Sequence, residues 1–122
     1  MAFDWKEYFE LASDWVEETD EAYYRSSVSR AYYSVFNILL QNVKITEKVD
    51  KHKKLIEILK DEFLHHLIEF EIETAELVLI GNEMEWLRNK RNEADYNSRI
   101  KIDKKIAIEA IEKIKNIFAI IN

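Results

Sequence analysis

The chain has 122 residues with one Gly and no Pro, where average usage gives roughly eight or nine Gly and about six Pro; that scarcity excludes sandwiches, barrels and βαβ units, whose frequent turns draw on both residue types. With 48% hydrophobic and 34% charged residues the chain is not disordered, and the absence of Cys excludes a disulfide scaffold, a Cys-ligated metal and a thiol nucleophile. A formal charge of −6 weighs against indiscriminate nucleic-acid binding.

The expected fold is a single all-α domain over residues 1–122, an antiparallel bundle of about five helices. In the first, near residues 3–18, Trp5, Tyr8, Phe9, Ala12, Trp15 and Val16 share one face at helical spacing. The second spans about 20–42, with Ala22, Val28, Ala31, Tyr32, Val35 and Leu39 apolar and Asp20 and Glu21 at the positive end of its dipole. A polar break near 43–50 precedes a third helix marked by His52, Leu55, Ile56, Leu59 and Phe63.

The fourth helix, about 70–96, carries Leu77, Ile80, Met84, Leu87, Arg91 and Ala94 in steps of three and four, a stripe that points one face inward. Arg91 lies on that stripe, and a guanidinium there is costly unless paired or wetted by a cleft. Gly81 interrupts the same helix. It either ends one helix, with Asn82 capping the next, or stays inside a continuous helix and admits a neighbouring backbone. The stripe keeps phase across it, which favours continuity. A fifth helix begins at Asp103 as N-cap and presents Ala107, Ile111, Ile114, Phe118 and Ile121.

Charge is zoned along the chain. Residues 1–24 carry eight acids against Lys6, and residues 57–85 carry nine against Lys60. Residues 44–54 hold five Lys against two acids, and residues 88–105 hold seven basic residues against three acids. If the two basic zones meet in space, an acidic protein presents a basic face. No apolar run approaches the roughly 20 residues that span a bilayer, and the start of the chain has no signal-peptide pattern, so a cytoplasmic protein without membrane contact is expected.

Glu62, His65, His66 and Glu69 suggest metal ligation, but a di-metal bundle needs the Glu-x-x-His step twice, and there is one copy. No metal site is therefore expected. The serines lie in no strand-to-helix elbow, and no Gly-rich loop cradles a phosphate. Two segments remain: Arg30-Ala31-Tyr32-Tyr33 with Phe36, and Arg88-Asn89-Lys90-Arg91-Asn92-Glu93-Ala94-Asp95-Tyr96. With only five Arg against 13 Lys in the chain, two Arg so close together are a local choice, and their planar forks suit phosphate or carboxylate.

On these segments the sequence resembles the HEPN domains, in particular the subgroup with an Arg-Ala-Tyr-Tyr…Phe helix and an Arg-x-x-Ala-Asp-Tyr element. Arg30-Ala31-Tyr32-Tyr33 with Phe36 fits the first, His52 fits a His that often opens the next helix, and Arg91 to Tyr96 fits the last in order and spacing. The resemblance covers most of the chain. It implies a homodimeric helical bundle in nucleic-acid processing, without metal or cofactor. Its active members are ribonucleases in which an Arg and a His four to six residues on line a cleft between protomers; some are paired with a nucleotidyltransferase in toxin–antitoxin systems.

Five residues after Arg91 this chain has Tyr96, and no His follows His66. Tyrosine, with an ordinary pKa of about 10, is a poor general base at neutral pH. The expected catalytic set is Arg91, Asp95 and Tyr96, with Arg88, Lys90, Asn92, Arg30, Tyr33 and His52 on nucleic acid. Against it stands a structural role, in which Arg91 pairs with Asp95 at i, i+4 or binds the Tyr32 and Tyr33 hydroxyls. A third account is a non-enzymatic interaction module that docks a protein through Tyr23, Tyr24 and Trp86.

Overall fold

The computed structural model describes residues 2–121. Five α-helices follow one another: α1 (Lys6–Val16), α2 (Glu21–Gln41), α3 (Lys51–Lys60), α4 (Thr74–Tyr96) and α5 (Lys104–Ile121), with a 3-10 helix at Glu62–Leu67 after α3. The all-α bundle is as expected, and α2 is its centre, packed by α1, α4 and α5.

The starts of α3 and α5 carry side-chain caps, whereas those of α1, α2 and α4 do not. Asp50 accepts hydrogen bonds from the backbone N–H groups of His52 and Lys53, and Asp103 Oδ1 accepts one from Ile106 N–H at 2.9 Å, which satisfies donors that the first turn leaves free. α3 ends three residues before Phe63 because Asp61 turns extended at φ −106° and ψ 107°; its side chain then caps the 3-10 helix at Phe63 N–H. α4 begins at Thr74 rather than near 70: the chain is paired at Leu67 to Glu69 and is still extended at Glu73, with φ −62° and ψ 146°. Lys44 N–H donates to Leu67 C=O at 2.9 Å and Glu69 N–H to Asn42 C=O at 2.8 Å, forming an antiparallel bridge between Val43 and Ile68.

The core follows the helical period. Val28, Ala31, Tyr32, Val35 and Leu39 of α2 are buried against Leu77, Ile80, Met84 and Leu87 of α4 and Ala107, Ala110, Ile114 and Ile117 of α5. Each large apolar side chain so buried contributes roughly 1.5–3 kcal/mol. Ala22, expected on the inner face of α2, is exposed, because it lies in the first turn, beyond the end of the packed stripe.

α4 runs unbroken through Gly81. A Cβ there would stand 2.6 Å from Lys60 Cγ, 3.0 Å from Leu59 Cβ and 3.2 Å from Lys60 N. The glycine thus admits the end of α3 against α4. Among the described residues no helix is long and apolar enough to cross a membrane.

Candidate functional site

The register of α2 on α4 sets the site. Arg25 meets the last turn of α4, Ser29 meets Asp95 and Tyr33 meets Arg91, so residue numbers rise on one helix as they fall on the other. Polar residues about one turn apart on α2 therefore form a ladder along this antiparallel seam.

At one rung lies Arg91, 5% exposed. One guanidinium nitrogen donates to Tyr33 Oη at 3.1 Å, and the guanidinium carbon lies 5.2 Å from the Tyr32 ring centre and 5.3 Å from that of Tyr33. Its Nε is buried without a hydrogen-bond partner. No carboxylate among the described residues pairs with it. The i, i+4 pair with Asp95 does not form: Arg91 turns inward to Tyr33 and the ring faces, while Asp95 lies at the surface and accepts from Ser29 Oγ at 3.1 Å. The ring faces offset part of the cost of burying the cation, each worth up to about 2 kcal/mol when desolvated, without neutralising its charge.

α3 closes over this rung. His52 Nδ1 lies 2.7 Å from Tyr32 Oη, and its imidazole stacks on Phe36 with centres 4.1 Å apart. Burial pushes the Tyr32 phenol well above its ordinary value despite the opposing Arg91 and Arg88, so the phenol keeps its proton. Tyr32 Oη makes no other hydrogen bond to a described residue, which assigns it as donor to Nδ1 and leaves the proton of the neutral imidazole on Nε2. His52 itself is held below its usual value by burial, with Arg91 and Arg88 adding to the effect and Asp50 opposing it.

Arg88, one turn before Arg91, donates to Asp50 Oδ2 at 3.0 Å, and its Nε is also buried without a partner. Asp50 is thereby shared between the start of α3 and α4. Its carboxyl lies below the usual range, lowered foremost by the Lys53 N–H, with Arg88 and the His52 N–H contributing and desolvation opposing. The two basic zones touch here through Arg88 and Lys53, which line a common depression with Glu85.

Arg91, Tyr33, His52 and Arg88 are thus brought together, whereas the remaining expected residues lie elsewhere. Arg30 stacks on the Tyr8 ring at 4.8 Å. Lys90 pairs with Glu93 at 3.0 Å and lies 5.8 Å from the Trp86 ring centre; Asn92 is half-buried. Tyr96 is 77% exposed and lines a separate depression with Glu21, Arg25 and Asn97. Tyr24 donates its hydroxyl to Glu18 C=O at 2.8 Å, while Trp86 is flanked by Lys90 and Lys113. His65 Nε2 donates to Leu59 C=O and His66 Nδ1 to Phe63 C=O, and among the described residues no three His, Cys, Asp or Glu converge as a metal site.

Sequence reasoning missed two residues. Asp50 was legible as an N-cap ahead of a helix, although its ion pair with Arg88 was not. Arg25 is the larger omission. Its Nε pairs with Glu21 at 2.8 Å, and its other nitrogens reach the carbonyls of Glu93, Ala94, Asn97 and Ile100, closing the C-terminus of α4. Glu21 also accepts from Ile102 N–H, which together with Arg25 holds its carboxyl below the usual range. The spacing of Glu21 and Arg25 signals an ion pair; nothing local signals its far partners.

No protein-family model matches the chain, and neither a curated protein nor a solved structure matches it.

Proposed function

We propose that the protein is a HEPN-like domain in RNA processing that holds an RNA phosphate at the junction of α2, α3 and α4 without itself cutting the chain. The observation that carries this reading is the buried Arg91 guanidinium with no carboxylate beside it. A cation in that state favours an anion from outside, and in a region of low dielectric its attraction extends beyond direct contact. In order of exposure, Arg88 and His52 lie outside Arg91, so an arriving phosphate meets their N–H groups first. Neutral His52, with its proton on Nε2, donates there and is not free to take a proton from a ribose hydroxyl. Tyr96, exposed and engaged in a different depression, does not replace it as a base. These features favour the catalytically degenerate form of the fold over the ribonuclease.

The test measures binding and cleavage of a labelled unstructured RNA side by side, without added metal, for the parent chain and for Arg91→Ala and Tyr96→Phe. Binding should weaken as salt rises. Arg91→Ala should weaken it about tenfold, equivalent to about 1.4 kcal/mol, while circular dichroism shows the helices retained. Metal-independent cleavage that Arg91→Ala abolishes would restore the ribonuclease account; no binding at low salt removes RNA altogether. The expectation of a homodimer, and of a nucleotidyltransferase partner, comes from the resemblance alone. Mass in solution at micromolar concentration tests the first, and a strict monomer removes a cleft shared between protomers.

A further inference from the structure

Further along the α2/α4 seam, beyond the Arg91 rung, the surface opens into two adjoining depressions of about 260 and 390 Å3. Arg25, Ala94 and Asp95 form their common wall. Trp15, Ser29 and Arg30 line the first depression, and Tyr96 lines the second. Taken together they reach the size of a site for a small organic ligand.

The chemistry of the wall is selective. Asp95 Oδ2 is fixed by the Ser29 hydroxyl, while its Oδ1 makes no hydrogen bond to a described residue. Of the two arginines lining the same depression, Arg25 is engaged on the end of α4 and Arg30 lies over the Tyr8 ring, and neither forms an ion pair with Asp95. Asp95 is therefore an oriented carboxylate without an ion-pair partner among the described residues, placed in a depression that also contains an indole. A group with two adjacent N–H donors on a flat ring would satisfy it, with the ring face toward Trp15.

We infer that this groove reads a base of single-stranded RNA, and that the base is guanine, its N1–H and N2–H donating to the Asp95 carboxylate. Guanine alone among the four presents two donors side by side on its Watson–Crick edge. Adenine and cytosine each present an amino group next to a ring nitrogen that a carboxylate repels, and uracil presents one N–H between two carbonyls. Tyr96, 77% exposed in the adjoining depression, offers a ring for the neighbouring base. This inference rests on the proposed RNA-binding role and assigns it a sequence preference.

The experiment uses labelled uridine octamers with one central guanosine, adenosine, cytidine or inosine, followed by fluorescence anisotropy with the full chain. The guanosine octamer should bind about tenfold more tightly than the adenosine and cytidine octamers. Inosine, which lacks the N2 amine, should fall between them, a readout that requires no change in the protein. Asp95→Asn should bind the four octamers alike, and Ser29→Ala, which releases the carboxylate, should narrow the preference. Equal binding of all four by the parent chain, or a preference that Asp95→Asn leaves intact, overturns base reading while leaving the Arg91 phosphate role in place. Failure to bind any octamer at low salt overturns both.

Discussion

Arg25 and Arg91 occupy two points of the same helix seam and have opposite surroundings. Arg25, with a side chain 20% exposed, is saturated by one carboxylate and four backbone carbonyls. Arg91 is more deeply buried and has one hydroxyl, two ring faces and an Nε with nothing to bond. The first guanidinium completes a helix end that would otherwise expose free carbonyls. The second completes nothing within the chain. Burial alone therefore does not tell a structural arginine from a functional one; the inventory of partners does.

That contrast can be broken first at Arg25. Arg25→Ala removes a bond to a carboxylate and several to the end of α4, and should lower unfolding free energy by roughly 2–4 kcal/mol in urea titrations. Loss of less than about 1 kcal/mol would mean that water caps α4 equally well. Gly81→Ala should come next at about 1–2 kcal/mol, because the clash with Lys60 outweighs the roughly 1 kcal/mol that Ala gains over Gly in a helix. Tyr33→Phe, which leaves the ring beneath Arg91 and removes only its acceptor, should cost about 1 kcal/mol. Arg91→Met should change stability least, within about 1 kcal/mol of the parent or above it, since an apolar chain of similar length fills the site without a buried charge. A loss of several kcal/mol there would place Arg91 in the same class as Arg25.

Acid sharpens the comparison from the other side. His52 titrates below its ordinary value of about 6.5 because burial and the nearby arginines disfavour its charged form. The folded state thus binds fewer protons than the unfolded one. The stability that this contributes is complete above about pH 6.5 and declines as pH falls through the folded value. Melting temperature should begin to drop on the acid side of that point, and His52→Gln should remove that part of the decline. Asp50 and Glu21, both lowered, contribute their stability above about pH 4 and lose it below, a separate and later phase.

Much of the fold was legible because helical periodicity is a local property. All six residues of the stripe from Leu77 to Ala94 are buried, and its unbroken phase correctly carried α4 through Gly81. Ends were less legible where extended backbone intervened: the chain is paired at Val43 and Ile68 and still extended at Glu73, where apolar spacing alone would start α4 earlier. At the site, Arg91 announced itself as a charge on an apolar stripe. Its lack of a carboxylate, the approach of His52 to Tyr32 and the reach of Arg25 to Ile100 are products of tertiary register, which no spacing along one helix encodes.

The bridge between Val43 and Ile68 has a consequence for opening motions. By joining the two ends of residues 44–67 it makes α3 and its 3-10 extension a loop tied at both feet, with the tight contact at Gly81 as a third attachment. Such a loop cannot fray from one end. The amides of Lys44 and Glu69, which make the tie, should exchange with solvent in the same step as those of Leu55 to Lys60, and native-state hydrogen exchange in mild denaturant should show them merging into one cooperative unit.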